Sequence, residues 1–225
     1  MTRFSLLAII ATLLVSPLFH AQTATKFEPN TPPINPPITM ELMAGNRGVL
    51  YQLIVNKKLQ SIPKLGFFSV TNGTAAWEKE LIPDIMTQAH ITYSLFKGLD
   101  ISSGMQYTPI YGFRPVAALF YSYASKDFFV LLNPKVDLKD DLASEALALV
   151  EYKPQLNDKL NFYSRIQGLY GFVPKSGDHN RSYLMLRAGL SYKEFTIGAA
   201  SNFDWYGPFK QNENNFGLFI NTQLF

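Results

Sequence analysis

The sequence predicts an all-β fold, a transmembrane antiparallel up-and-down β-barrel of about twelve strands, with ten as the alternative. Three observations carry this expectation. Apolar and polar residues alternate with period two from residue 38 onward. The alternating runs are about ten to thirteen residues long, whereas soluble strands average about 5–6 and membrane-spanning strands need about 9–11. The breaks between runs alternate short and long, as in barrels with tight turns at one rim and larger loops at the other.

Composition fits the same class. The chain has 225 residues, of which 47% are hydrophobic and only 16% charged, yet its mean hydropathy is +0.01. Disorder requires low hydrophobicity and high net charge, and the formal charge here is +3. That charge is also too small and too scattered for a nucleic-acid binder. A helical span requires roughly 20 consecutive apolar residues, and the only long apolar run lies at the N-terminus. With no cysteine, the chain has no disulfide, thiolate metal site or cysteine nucleophile.

Residues 1–21 read as a secretory signal. Arg3 supplies the charge, Phe4 to Val15 the apolar core, and Ser16-Pro17 the break before Ala21, with cleavage expected at Ala21/Gln22. Residues 22–37 read as a Pro-rich periplasmic leader; five of the fourteen prolines fall between Glu28 and Pro37. Proline lacks a backbone donor and favours extended chain, so this leader is expected to lack packed structure.

The barrel is expected over 38–225. Ile38 to Ala44 is the weakest strand, and it makes the count even. The others are expected near 48–57, 64–71, 85–96, 99–108, 113–124, 126–133, 144–153, 159–171, 182–193, 195–206 and 214–225. The alternation is clearest from Ile85 to Leu95. There Ile85, Thr87, Ala89, Ile91, Tyr93 and Leu95 share one face, with Gln88, His90, Thr92 and Ser94 on the other. Tight breaks are read at Lys97-Gly98, Ser125-Lys126, Pro154 to Asp158 and Lys193-Glu194. Longer polar ones are read at Thr71 to Pro83, Asn133 to Ala143, Phe172 to Arg181 and Gly207 to Glu213.

With its export signal, amphipathic strands, aromatics near strand ends and a closing Phe216–Phe225 segment, the chain resembles Gram-negative outer-membrane β-barrel proteins. The resemblance implies an outer-membrane location, contact with membrane lipid, and recognition by barrel-assembly machinery through the segment ending in Phe225. One departure is that Leu218, Ile220 and Leu224 are out of phase with Phe225.

Arg165 and Arg187 identify the lumen. A basic residue on the lipid face at midplane costs about 2–4 kcal/mol, and both arginines fall mid-strand on the polar face. They lie symmetrically about a loop centred near residue 176, so they are expected to be neighbours on adjacent strands. Across a turn centred near 156, Arg165 is expected to face Leu147, with Glu145 and Leu149 beside it and Glu151 beyond. Two readings stay open: an Arg–Glu network that fills the lumen, or a positive constriction that favours anions. Gln88, His90, Asp100, Gln106, Gln167, Asn202 and Asp204 are expected on the same wall, interleaved with Tyr163, Leu147, Leu149, Tyr183 and Met185. Such bulk predicts a narrow or partly filled lumen.

Chemistry is sparse. Barrel lipid hydrolases resemble one another in a His-x-Ser pair at the membrane boundary. Here His179 and Ser182 are separated by two residues, so contact would need a bend, because i and i+3 on a strand face opposite sides. His90 has no second histidine near it, no metal site is supported, and no cofactor motif is present. The segment Asn72 to Ile82 is read as a rim loop with room for a helical turn. The expected function is a narrow small-solute channel or uptake pore with weak anion bias. A closed barrel with a structural or surface role is the alternative, and a lipid hydrolase is a third reading.

Overall fold

The computed structural model describes residues 35–78, 84–139 and 141–224. The signal segment 1–21, most of the leader, Phe225 and the end of the Asn72–Ile82 segment lie outside them. The twelve strands are β1 (Ile38–Gly45), β2 (Gly48–Leu59), β3 (Ile62–Ala76), β4 (Asp84–Phe96), β5 (Leu99–Thr108) and β6 (Gly112–Ala124). They continue as β7 (Phe128–Asp137), β8 (Ser144–Tyr152), β9 (Leu160–Val173), β10 (Asp178–Tyr192), β11 (Phe195–Tyr206) and β12 (Gln211–Leu224). Each pairs antiparallel with its sequence neighbours, and β1 closes on β12 from Ile38↔Leu224 to Gly45↔Gly217. Closure leaves no sheet edge, which is what allows strands to cross hydrocarbon. No helix among the described residues is long and apolar enough to cross a membrane.

Ile38–Gly45 is a strand, so the count is twelve. Several strands run further than their composition suggests. β3 continues through Asn72 to Ala76, so the first half of the segment read as a loop is barrel wall. There Trp77 caps the rim by donating Nε1–H to the Gly45 carbonyl at 2.8 Å. β7 continues past Pro134 to Asp137. Pro134 brings no N–H to the ladder. The neighbouring Asn133 compensates, its Nδ2 donating to the Leu119 carbonyl at 2.9 Å. β10 and β12 likewise begin earlier than expected, at Asp178 and Gln211.

The connection between β8 and β9 corrects the expected register. Asn157 organises it, its Oδ1 accepting from the backbone of Lys159 (2.9 Å) and Leu160 (3.0 Å). This turn is longer than the one read at Pro154 to Asp158, so Arg165 pairs with Glu151 and Leu147 with Leu169.

The end of the leader is tied down as well. Asn35 accepts from Lys58 N at 2.6 Å and donates to Lys58 O at 3.1 Å, occupying backbone groups of β2 beyond its pairing with β1.

The two faces separate as the alternation predicts. Outward residues form an apolar band that includes Leu42, Ile91, Ile101, Leu119, Ile166, Ile197 and Leu218, all exposed. Aromatic belts flank it. At the rim that holds both chain ends of the barrel lie Tyr123, Phe128, Tyr152, Tyr192 and Phe195, with Phe128 and Tyr152 stacked at 4.5 Å. At the opposite rim lie Tyr107, Phe113, Tyr170, Phe172, Trp205 and Phe216.

Candidate functional site

The interior is packed across its middle. Glu41 on β1 reaches across the lumen to both arginines. Arg165 Nη2 donates to its Oε2 at 2.8 Å, and Arg187 Nε to its Oε1 at 2.9 Å. Arg187 also donates to Asn202 Oδ1 at 2.8 Å. Arg165 and Arg187 are 1% and 3% exposed, so neither is presented to a passing solute. Packed with this cluster are Met43, Leu50, Tyr163, Tyr183, Met185 and Phe219. The acidic partner expected from β8 is taken up differently. Glu151 accepts from Tyr163 Oη at 2.7 Å, and Glu145 pairs with Lys135 at 2.8 Å.

A second plug fills the other side. Phe68 and Phe120 pack at 4.5 Å between ring centroids, and His90 meets both edge-on. His90 is buried, with Nδ1 3.1 Å from Ser102 Oγ. Gln88 and Gln106 both accept from Lys135 Nζ, Gln88 at 3.0 Å. Gln167 donates to Tyr183 Oη at 3.0 Å. Asp100 lies at the rim of the chain ends, 2.5 Å from Lys58 Nζ and 2.7 Å from Ser94 Oγ.

Beyond these plugs, toward the rim without chain ends, the lumen widens into a vestibule of about 760 Å³. Beneath its floor lies a void of about 40 Å³. Among the described residues, each cation on the vestibule wall is paired. Arg114 binds Asp137 and Asp141, and Arg47 binds Glu213. Arg181 donates to Asp84 (3.2 Å) and Asp204 (2.9 Å), and Lys135 holds Glu145. Tyr206 Oη donates to Asp84 at 2.9 Å and its ring lies under the Arg181 guanidinium. The result is a polar cup with aromatic walls, in which four cations meet six carboxylates among the described residues.

The fold is a closed twelve-strand antiparallel β-barrel. No protein-family model matches the chain, and no curated protein matches it. Among solved structures it is similar to the NanC porin, with 14% identity and a TM-score of 0.48, over 83% of this chain and 98% of that one. It is similar to OccAB3 of Acinetobacter baumannii (12%, TM-score 0.41, 76% of this chain and 65% of that). OprD of Pseudomonas aeruginosa gives 14% and a TM-score of 0.40, over 81% and 61%. The chain therefore spans less than two thirds of the length of the last two.

Residues that sequence reasoning left out carry much of this interior. Glu41 is the one acidic residue in Ile38–Gly45, which is the signal that marks it. Lys135 and Arg181 fell in segments read as loops, because Pro134 and the polar run before Ser182 masked the strands.

Proposed function

We propose that this is an outer-membrane barrel, closed at mid-depth, whose vestibule captures a small polar solute from the side opposite the chain ends. The observation that carries this reading is the shared engagement of Arg165 and Arg187 by Glu41, which favours the internal Arg–Glu network over the anion-attracting constriction, the two arrangements left open by the sequence. With each cation of the cup already held by a carboxylate and carboxylates in excess, the solute class that fits is zwitterionic or cationic. Its polar groups would meet Asp84, Arg181 and Tyr206, and Tyr111, which lines the vestibule beside Arg114, would offer an apolar ring face.

A conducting state is the second reading, favoured by the vestibule standing directly above the void of about 40 Å³. Planar-bilayer recording separates the two. The closed reading expects no unitary conductance from folded wild-type protein at moderate voltage. Regular conductance steps, weakened by Arg187→Glu, would establish the channel instead.

A further inference from the structure

We propose that Ser182 and His179 form a hydrolytic pair, on the lipid-facing side of the barrel, that cleaves acyl esters of membrane lipids. His179 Nε2 lies 2.8 Å from Ser182 Oγ, although a regular strand would place residues three apart on opposite faces. A β-bulge resolves this. The pairing of β10 with β9 slips between His179 and Ser182, two residues of β10 standing against Gly171 alone. Gly171 is what permits the bulge, since a Cβ there would come within 3.0 Å of the Arg181 carbonyl.

The imidazole is oriented by a third group. Its Nδ1 lies 2.7 Å from the carbonyl oxygen of Gly207. A carbonyl only accepts, so Nδ1 carries the proton and Nε2 is the acceptor for the serine hydroxyl. That is the tautomer a general base requires. The Gly207 turn is fastened to the same bulge, with Gly207 N donating to the Asn180 carbonyl at 2.7 Å. Its φ of +67° suits glycine, and a Cβ there would meet nothing. His179 is 7% exposed, with the ring of Tyr170 against it at 5.7 Å between centroids, so the base is shielded from bulk water.

Position names the substrate class. Ser182 pairs with Tyr170 on one side and Trp205 on the other, in the aromatic belt of the rim without chain ends. Such belts sit at headgroup level, where the acyl esters of lipids lie. In the first step Ser182 Oγ bonds to the ester carbonyl carbon and its proton passes to His179 Nε2. Collapse breaks the bond to the leaving alkoxide, which takes that proton and departs as the lyso-lipid alcohol. Water, deprotonated by His179, then attacks the acyl-serine; Ser182 regains a proton and the fatty acid is released. The proposal needs the barrel in a membrane and is independent of whether the lumen conducts.

The test uses the full chain refolded into vesicles of phosphatidylethanolamine and phosphatidylglycerol, with and without lipopolysaccharide. A fluorophosphonate probe is added in parallel, and folding of each variant is checked by its heat-dependent gel shift. Fatty acid is expected from at least one vesicle type, with a fluorophosphonate adduct on Ser182. Release that appears only with lipopolysaccharide would assign the ester to that lipid. Ser182→Ala should abolish both signals, and His179→Asn should lower the release rate by about 10²–10⁴-fold. Either of two results overturns the proposal: folded wild-type protein that releases no fatty acid from both vesicle types, or release unchanged by Ser182→Ala.

Discussion

Arg165 and Arg187 stand directly opposite each other on β9 and β10, and their guanidinium groups close on one carboxylate, each 2.8 Å from Glu41. Two like charges in register repel. Here the repulsion is offset by a residue from β1, across the lumen, with Glu151 in register beside Arg165. The lock thus ties the first strand to the ninth and tenth.

Removing the shared carboxylate should cost more than removing the whole cluster. Glu41→Gln removes the carboxylate that both buried guanidinium groups share, leaving only Glu151 beside Arg165, and is expected to lower stability by about 3–5 kcal/mol. The triple variant Glu41→Leu, Arg165→Met, Arg187→Leu should stay close to wild type, since apolar packing commonly replaces a buried ion cluster at little cost. Urea unfolding in phospholipid vesicles reads both. Equal losses would show that the charges contribute through something other than mutual compensation.

Ile166 is 57% exposed on the outer face, one residue from a buried arginine. Ile166→Arg places a cation in the lipid band and should cost about 2–4 kcal/mol in vesicles. The same unfolding assay tests it, and a neutral effect would mean that this face does not meet hydrocarbon.

Trp205 lies in the aromatic belt, whereas Trp77 caps the rim through its bond to Gly45. In Trp77→Phe the remaining indole should be quenched more strongly by lipids carrying a nitroxide near the headgroup than by lipids carrying it near the chain end. The reverse order would place Trp205 at the bilayer centre.

Gly171 faces the bulge in β10. Gly171→Val must push against the Arg181 backbone and is expected to destabilise the barrel by about 1–3 kcal/mol, as overpacking does. Gly168→Ala is the control, because a Cβ there meets only the Tyr183 carbonyl, at 3.8 Å. Indistinguishable unfolding of the two variants would show that the bulge does not depend on glycine.

Period two made the strands and their faces legible without coordinates. Ile91, Ile101 and Ile197 point outward, and Gln88, His90 and Asn202 are buried inside, because pleating sends successive side chains to opposite sides whatever the rest of the chain does. The pairing of Arg165 with Arg187 was readable from a loop centre near residue 176, although the hairpin closes as Asp178↔Val173 and reaches that register only through the bulge after His179. Strand ends were less so. Lys135 sits beyond a proline whose missing donor is replaced by the Asn133 side chain, a compensation that only the neighbouring strand reveals.

The sequence by itself determined a closed wall with one wet and one apolar side, since alternation and strand length are properties of the chain taken a few residues at a time. Tertiary structure alone decided what fills that wall. Glu41 and Arg165 are 124 residues apart and meet because closure brings distant strands across one lumen. His179 and Ser182 are three apart and meet only because β9 offers a glycine against which β10 can bulge. Neither contact follows from spacing, because each depends on what the opposite or adjoining strand presents.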